Sequence, residues 1–192
     1  MVNEKKEGKE SLRFNVSVTQ LCYDKIREMM ARAGMFRGLS DFAMTAFRDF
    51  LFSSVSNYRK IFDNVEKDAK RHRVPKEEIL DTFYQEMYDA IVALGQVADE
   101  FFGTGFVRQI HVSIPYDLQN AIQNFGWSQN NLQILFRVSF YFYIKKMQTN
   151  CEEWDDLRKK LLEYIPRETE SVINARKNYA SLWLDKESTD WD

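Results

Sequence analysis

Arg13-Phe14-Asn15-Val16-Ser17-Val18-Thr19 and Gln109-Ile110-His111-Val112-Ser113-Ile114-Pro115 follow one pattern. Aligned without a gap, Phe14, Val16 and Val18 fall on Ile110, Val112 and Ile114. Strict alternation with β-branched residues on the apolar side predicts a half-buried strand, because successive side chains leave opposite faces. The other face carries Arg13, Asn15 and Ser17 in the first copy and Gln109, His111 and Ser113 in the second. All six are hydrogen-bonding residues.

A helical pattern follows each strand. In copy one Leu21, Ile26, Met29, Met30 and Ala33 form the apolar stripe, and Gly34 supplies a C-terminal cap. In copy two Pro115 pre-sets the first turn, Leu118, Ala121, Ile122 and Phe125 form the stripe, and Gly126 ends it. A second helix comes next in both. Phe42, Ala46, Phe47, Phe50 and Leu51 follow Ser40, and Leu132, Leu135, Phe136 and Phe140 follow Ser128, the two serines serving as N-caps. The repeat is strand, helix, helix, twice.

The remainder also reads as helix. Residues 57–72 continue or follow the second helix. Pro75 opens another helix with Ile79, Phe83, Met87, Ile91 and Leu94 on one side, and Gly103-Thr104-Gly105 breaks the chain before the second strand. Two shorter helices are expected between Glu152 and Trp183, separated near Pro166. The boundaries predicted are a flexible tail at 1–11, units at 12–56 and 107–150, a helical linker at 57–106 and C-terminal helices at 151–192.

Strand-helix-helix in about forty residues, with a polar/apolar alternating strand, resembles the ribbon-helix-helix superfamily that includes MetJ and Arc. The likeness covers residues 12–52 and 107–147. Two copies in one chain look like the tandem regulators of filamentous viruses of hyperthermophilic archaea. The resemblance implies a mainly α protein with two tandem ribbon-helix-helix units. They would form an intramolecular pseudo-dimer around a two-stranded antiparallel ribbon, with additional helices. A lone strand cannot satisfy its backbone, so the two copies must pair.

The resemblance further implies a transcriptional regulator whose partner is double-stranded DNA, read in the major groove. Arg13 would grip guanine, Asn15 and Gln109 would pair with adenine, and Ser17, His111 and Ser113 would complete the base-reading face. Backbone amides at Leu39 and Ser40, and at Ser128 and Gln129, would hold phosphates at the starts of the second helices. Three departures stand out: Thr19 occupies the place of the proline expected after strand one, the turn from Gly34 to Ser40 is longer than usual, and Asp41 brings a carboxylate to the first phosphate anchor.

Composition bounds these readings. Of 192 residues, 44% are hydrophobic and 29% charged, and the 15 Phe, 9 Tyr and 4 Trp can fill a sizeable core. The net charge of −2 hides an alternation: residues 1–73 carry +5, 74–106 carry −6, 107–150 carry +3 and 151–192 carry −4. No apolar run reaches the roughly 18 residues of a membrane span, so no membrane association is expected. The N-terminus lacks the apolar core of a signal peptide, and Cys22 and Cys151 stand apart from any metal-ligand spacing, which together suggest reduced thiols and a cytoplasmic location. No cofactor, metal or small-molecule substrate is expected, and no nucleophile, base and orienter are grouped as an enzyme would need.

Blander readings compete for several motifs. The basic run Lys70-Arg71-His72-Arg73 reads as a solvated helix end, and Lys5, Lys6 and Lys9 are offset by Glu4, Glu7 and Glu10. The aromatic stretch Phe136–Tyr143 reads as core and as an interface between chains, giving a homodimer or higher oligomer. Two alternative functions remain: a protein-interaction module that kept the fold without DNA binding, and an antitoxin-type DNA-binding protein. The ordered-looking C-terminus speaks against the second.

Overall fold

Both alternating stretches are strands, and they pair with each other. The computed structural model describes residues 11–54, 59–116, 118–119, 122, 129–149, 151–165 and 172–179. Strand β1 (Leu12–Thr19) leads into α1 (Gln20–Ala33), α2 (Leu39–Ser54), α3 (Arg59–His72) and the long α4 (Lys76–Phe102). Strand β2 (Phe106–Ile114) follows, then α5 (Gln129–Gln148) and α6 (Cys151–Leu162). The fold is mainly helical with one two-stranded antiparallel sheet.

The pairing register is Leu12 to Ile114, Phe14 to Val112 and Val16 to Ile110 on one face, with an irregularity between Val18 and Thr19. That face is the buried one. Val16, Val18, Ile110, Val112 and Ile114 lie in the core, and the half-buried Phe14 stacks on Phe136 with ring centroids 6.1 Å apart.

Thr19 caps α1: its Oγ1 accepts from Cys22 N at 3.1 Å and donates to the Phe102 carbonyl at 2.8 Å. The hydroxyl therefore starts the helix as a proline would have, and also ties the end of α4 to the β1–α1 corner. Gly34, left-handed at φ 63°, closes α1 with its amide on Met30 O. Cys22, Ile26 and Met29 are the buried stripe, whereas Leu21, expected on it, is exposed.

Helix α5 is the centre of the molecule, packed by α2, α4, α1, β1 and α6. Its rings meet those of α2, with Phe47 stacked on Phe136 at 4.4 Å and Phe50 edge-on to Phe142 at 4.9 Å. Val138 through Ile144 are all buried by the chain itself. This corrects the expectation that the aromatic stretch doubles as an interface between chains: its surface is consumed within one chain, and the homodimer or oligomer inferred from it loses that support.

The α4 stripe is buried as its periodicity predicts, from Ile79 through Phe102. It meets α5 closely at Gly95, where an added Cβ would lie 2.6 Å from Ile134 Cγ2. One turn on, Arg137 and Asp99 join the same two helices at 3.2 Å. Residues 172–179 are helical and lay Val172 and Ala175 over Val74 and Ile79 at the α3–α4 corner. In the segment after β2, residues 116, 118–119 and 122 are helical with Leu118 and Ile122 buried. Ala121, Phe125, Gly126, Pro166, Trp183 and the 1–10 tail lie outside the described residues.

Candidate nucleic-acid interface

Because the buried face of the ribbon is fixed by its apolar residues, the opposite face is fixed too. It brings together all six polar residues in three cross-strand pairs: Arg13 with Ser113, Asn15 with His111, and Ser17 with Gln109. Ser17 is half-buried and the other five are exposed. Asn15 Oδ1 and His111 Nδ1 are 2.5 Å apart, and Ser113 Oγ donates to Ser11 Oγ at 2.8 Å. Ser11 lies beyond the Arg13 end of this face, and Val107, with 66% of its surface open, is the residue that the irregularity at Val18/Thr19 leaves unpaired. In a chain with 29 Asp and Glu, none of these eight residues is acidic.

The edge of β1 that β2 does not cover is held by a residue that the pattern of the repeat does not single out. Gln133 of α5 accepts from Ser17 N at 2.9 Å and donates to Asn15 O at 2.6 Å, so one side-chain amide takes the place of a third strand. The available signal was a lone amide within Leu132-Gln133-Ile134-Leu135-Phe136, an apolar setting in which a polar group must find a partner. At the other end of the ribbon Arg108 donates to Gln20 Oε1 at 2.9 Å and lies 5.7 Å from the centre of the Tyr23 ring. Gln20 in turn donates to Asp24.

The expected phosphate anchors are placed only in part. Helix α2 begins at Leu39, so Ser40 lies inside the first turn rather than at the N-cap expected for it. Leu39 and Ser40 still contribute first-turn amides, which have no carbonyl four residues back within the helix. Asp41 accepts from Arg37 N at 3.0 Å, which explains the carboxylate there as part of the turn into α2. Gln129 opens α5, and Ser128 lies outside the described residues.

The positive balance of residues 107–150 does not form a face. Arg137 is paired with Asp99, Lys146 with Asp49 at 2.7 Å, and Lys145 sits 4.3 Å from the centre of the Phe101 ring. With Arg108 bound at the ribbon end, Arg13 is the cation of the outward face. Charge counted along the chain therefore misplaces the cations, since pairing across helices consumes them.

Burial pushes the Cys22 thiol up to about 12, outweighing the opposing pull of Arg137 and disfavouring the thiolate. Burial likewise raises the Asp99 carboxyl, against the lowering effect of Arg137. Among the described residues no group of His, Cys, Asp and Glu could hold a metal ion, and no helix is long and apolar enough to cross a membrane.

Comparison with protein-family models, with curated proteins and with solved structures finds no match to the chain.

Proposed function

We propose that the chain is a sequence-specific DNA-binding regulator that reads the major groove with the outward face of the β1–β2 ribbon. The observation that carries this reading is the register, which gathers Arg13, Asn15, Ser17, Gln109, His111 and Ser113, none of them acidic, on one surface. A two-stranded ribbon fits the major groove, and side chains of these types match the donors and acceptors of base edges there.

The same reading makes the core a pair of ribbon-helix-helix units within one chain. One unit is β1, α1 and α2; the other is β2, the helical segment after it and α5. Helix α2 packs on β2 while α5 packs on β1, an exchange of second helices that two such units related by a twofold axis require. Asn15 and His111 fall on each other in the sequence repeat and also face each other in the register, which puts the axis between them. A single chain then supplies the complete ribbon, flanked by first-turn amides of α2 and α5 for phosphates.

Replacing Arg13, Asn15 and Ser17 together by alanine tests the proposal. Loss of binding to a selected duplex, with circular dichroism unchanged, is expected; undiminished binding sinks it. The chain's overall acidity and the single cation among the described residues of the outward face favour a second reading, a protein-interaction module on the same scaffold. A salt titration separates the two. A DNA reader binds random duplex at low salt and weakens steeply as salt rises, whereas an interaction module shows no such binding.

A further inference from the structure

The outward face is symmetric in the register of its six polar residues and asymmetric in their chemistry. Under the sequence repeat Arg13 corresponds to Gln109, Ser17 to Ser113, and Ser11 to Val107. The register places Arg13 beside Ser113 at one end and Gln109 beside Ser17 at the other, with Asn15 and His111 between. Each end therefore has one serine at an equivalent place. What differs is Arg13 at the first end and Gln109 at the second.

We infer that the DNA site is not a palindrome: one half carries a guanine read by Arg13, and its mirror position carries an adenine read by Gln109. This rests on the DNA-reading function proposed above. An arginine fork matches the O6 and N7 acceptors of guanine, and a glutamine amide matches the N6 donor and N7 acceptor of adenine.

The geometry also sets the spacing. Arg13 and Gln109 are separated by four residues of strand, about 13 Å along the ribbon. At 3.4 Å per base step the two bases lie about four base pairs apart. The serines and the Asn15–His111 pair read the interval between them. One chain then sits on its site in one orientation, so that any flanking contact made by the rest of the molecule falls on a defined side of the sequence.

Selection of bound duplexes from a random pool tests this with the full chain, Arg13→Gln and Gln109→Arg. All these side chains are exposed, so the fold is not at stake. The wild type is expected to recover a site with guanine in one half and adenine at the mirror position, each half read 5′ to 3′. Arg13→Gln should recover adenine in both halves and Gln109→Arg guanine in both, each variant losing about 5- to 160-fold on the wild-type site. A palindromic wild-type site, or variants whose selected sites do not change at these positions, overturns the asymmetry and leaves DNA reading by the ribbon intact. No enrichment of any duplex by a folded wild type overturns the asymmetry and the DNA-reading function together.

Discussion

Asn15 and His111 hold each other at the middle of the ribbon, Oδ1 against Nδ1 at 2.5 Å. An amide oxygen turned to the ring accepts from a protonated Nδ1. Each side chain thereby fixes the other's orientation. On the proposed DNA-reading function, single alanine substitutions at either position should weaken binding to a selected duplex. The double variant should weaken it by less than the two effects combined, with a coupling of about 0.5–3 kcal/mol in a double-mutant cycle. Unfolding free energies should move by only about 0.5 kcal/mol, since both side chains are exposed. Strict additivity in binding would show that the pair does not act as a unit.

Gln133 closes the outer edge of β1 through Ser17 N and Asn15 O. Gln133→Ala removes two hydrogen bonds to backbone and is expected to cost about 1–3 kcal/mol of stability. The local signature is amide exchange. Ser17 N–H should exchange faster in the variant, while the Val16 amide, whose residue pairs with Ile110 inside the ribbon, should change less. Equal protection of Ser17 in both proteins would mean that Gln133 does not hold the edge.

The ribbon and the helices were legible because period two and period 3.6 are local properties of the chain. Val16 and Ile110 declare the buried face by themselves, and the face opposite follows. Contacts between distant elements were not legible. Thr19 looked like a missing proline until its hydroxyl was seen joining Cys22 N to Phe102 O, across 83 positions of sequence. Arg137, Lys145 and Lys146 looked like a basic segment, yet Asp99, Phe101 and Asp49 claim them from helices that the charge count treats separately. The aromatic run of α5 gave burial correctly but not its partner, because a ring on an apolar helix packs equally well on its own chain or on another.

Gly95 permits the close approach of α4 and α5. Helix propensity alone would favour Gly95→Ala by about 1 kcal/mol. The new methyl would meet Ile134 Cγ2 at 2.6 Å, a branch fixed to the Ile134 Cβ and unable to swing clear without a rotamer change. Overpacking of this kind costs about 1–3 kcal/mol, so Gly95→Ala should lower the urea midpoint on balance. Adding Ile134→Ala, which deletes the clashing atom, should make the pair less destabilised than the sum of the singles. A stabilised Gly95→Ala would mean that the helices can separate at no cost.

Cys22 provides a pH test of the core. Its thiol is raised from 9.0 to about 12 by burial, so above pH 9 the unfolded chain releases a proton that the folded chain keeps. A group that holds its proton more tightly when folded contributes stability that is present at lower pH and is lost as pH rises from 9 toward 12. The loss is up to about 1.4 kcal/mol per pH unit. Tyr84, Tyr141 and Tyr143 are raised by burial as well and add losses of the same sign, so the contribution of Cys22 is isolated by comparison with Cys22→Ala. The stability gap between wild type and this variant should narrow steadily above pH 9, and in a Cys151→Ser background the native thiol should resist a disulfide reagent at pH 8 yet react once urea unfolds the chain. A constant gap across that range, with prompt labelling of the native protein, would place Cys22 in contact with solvent and α1 away from the core it packs against.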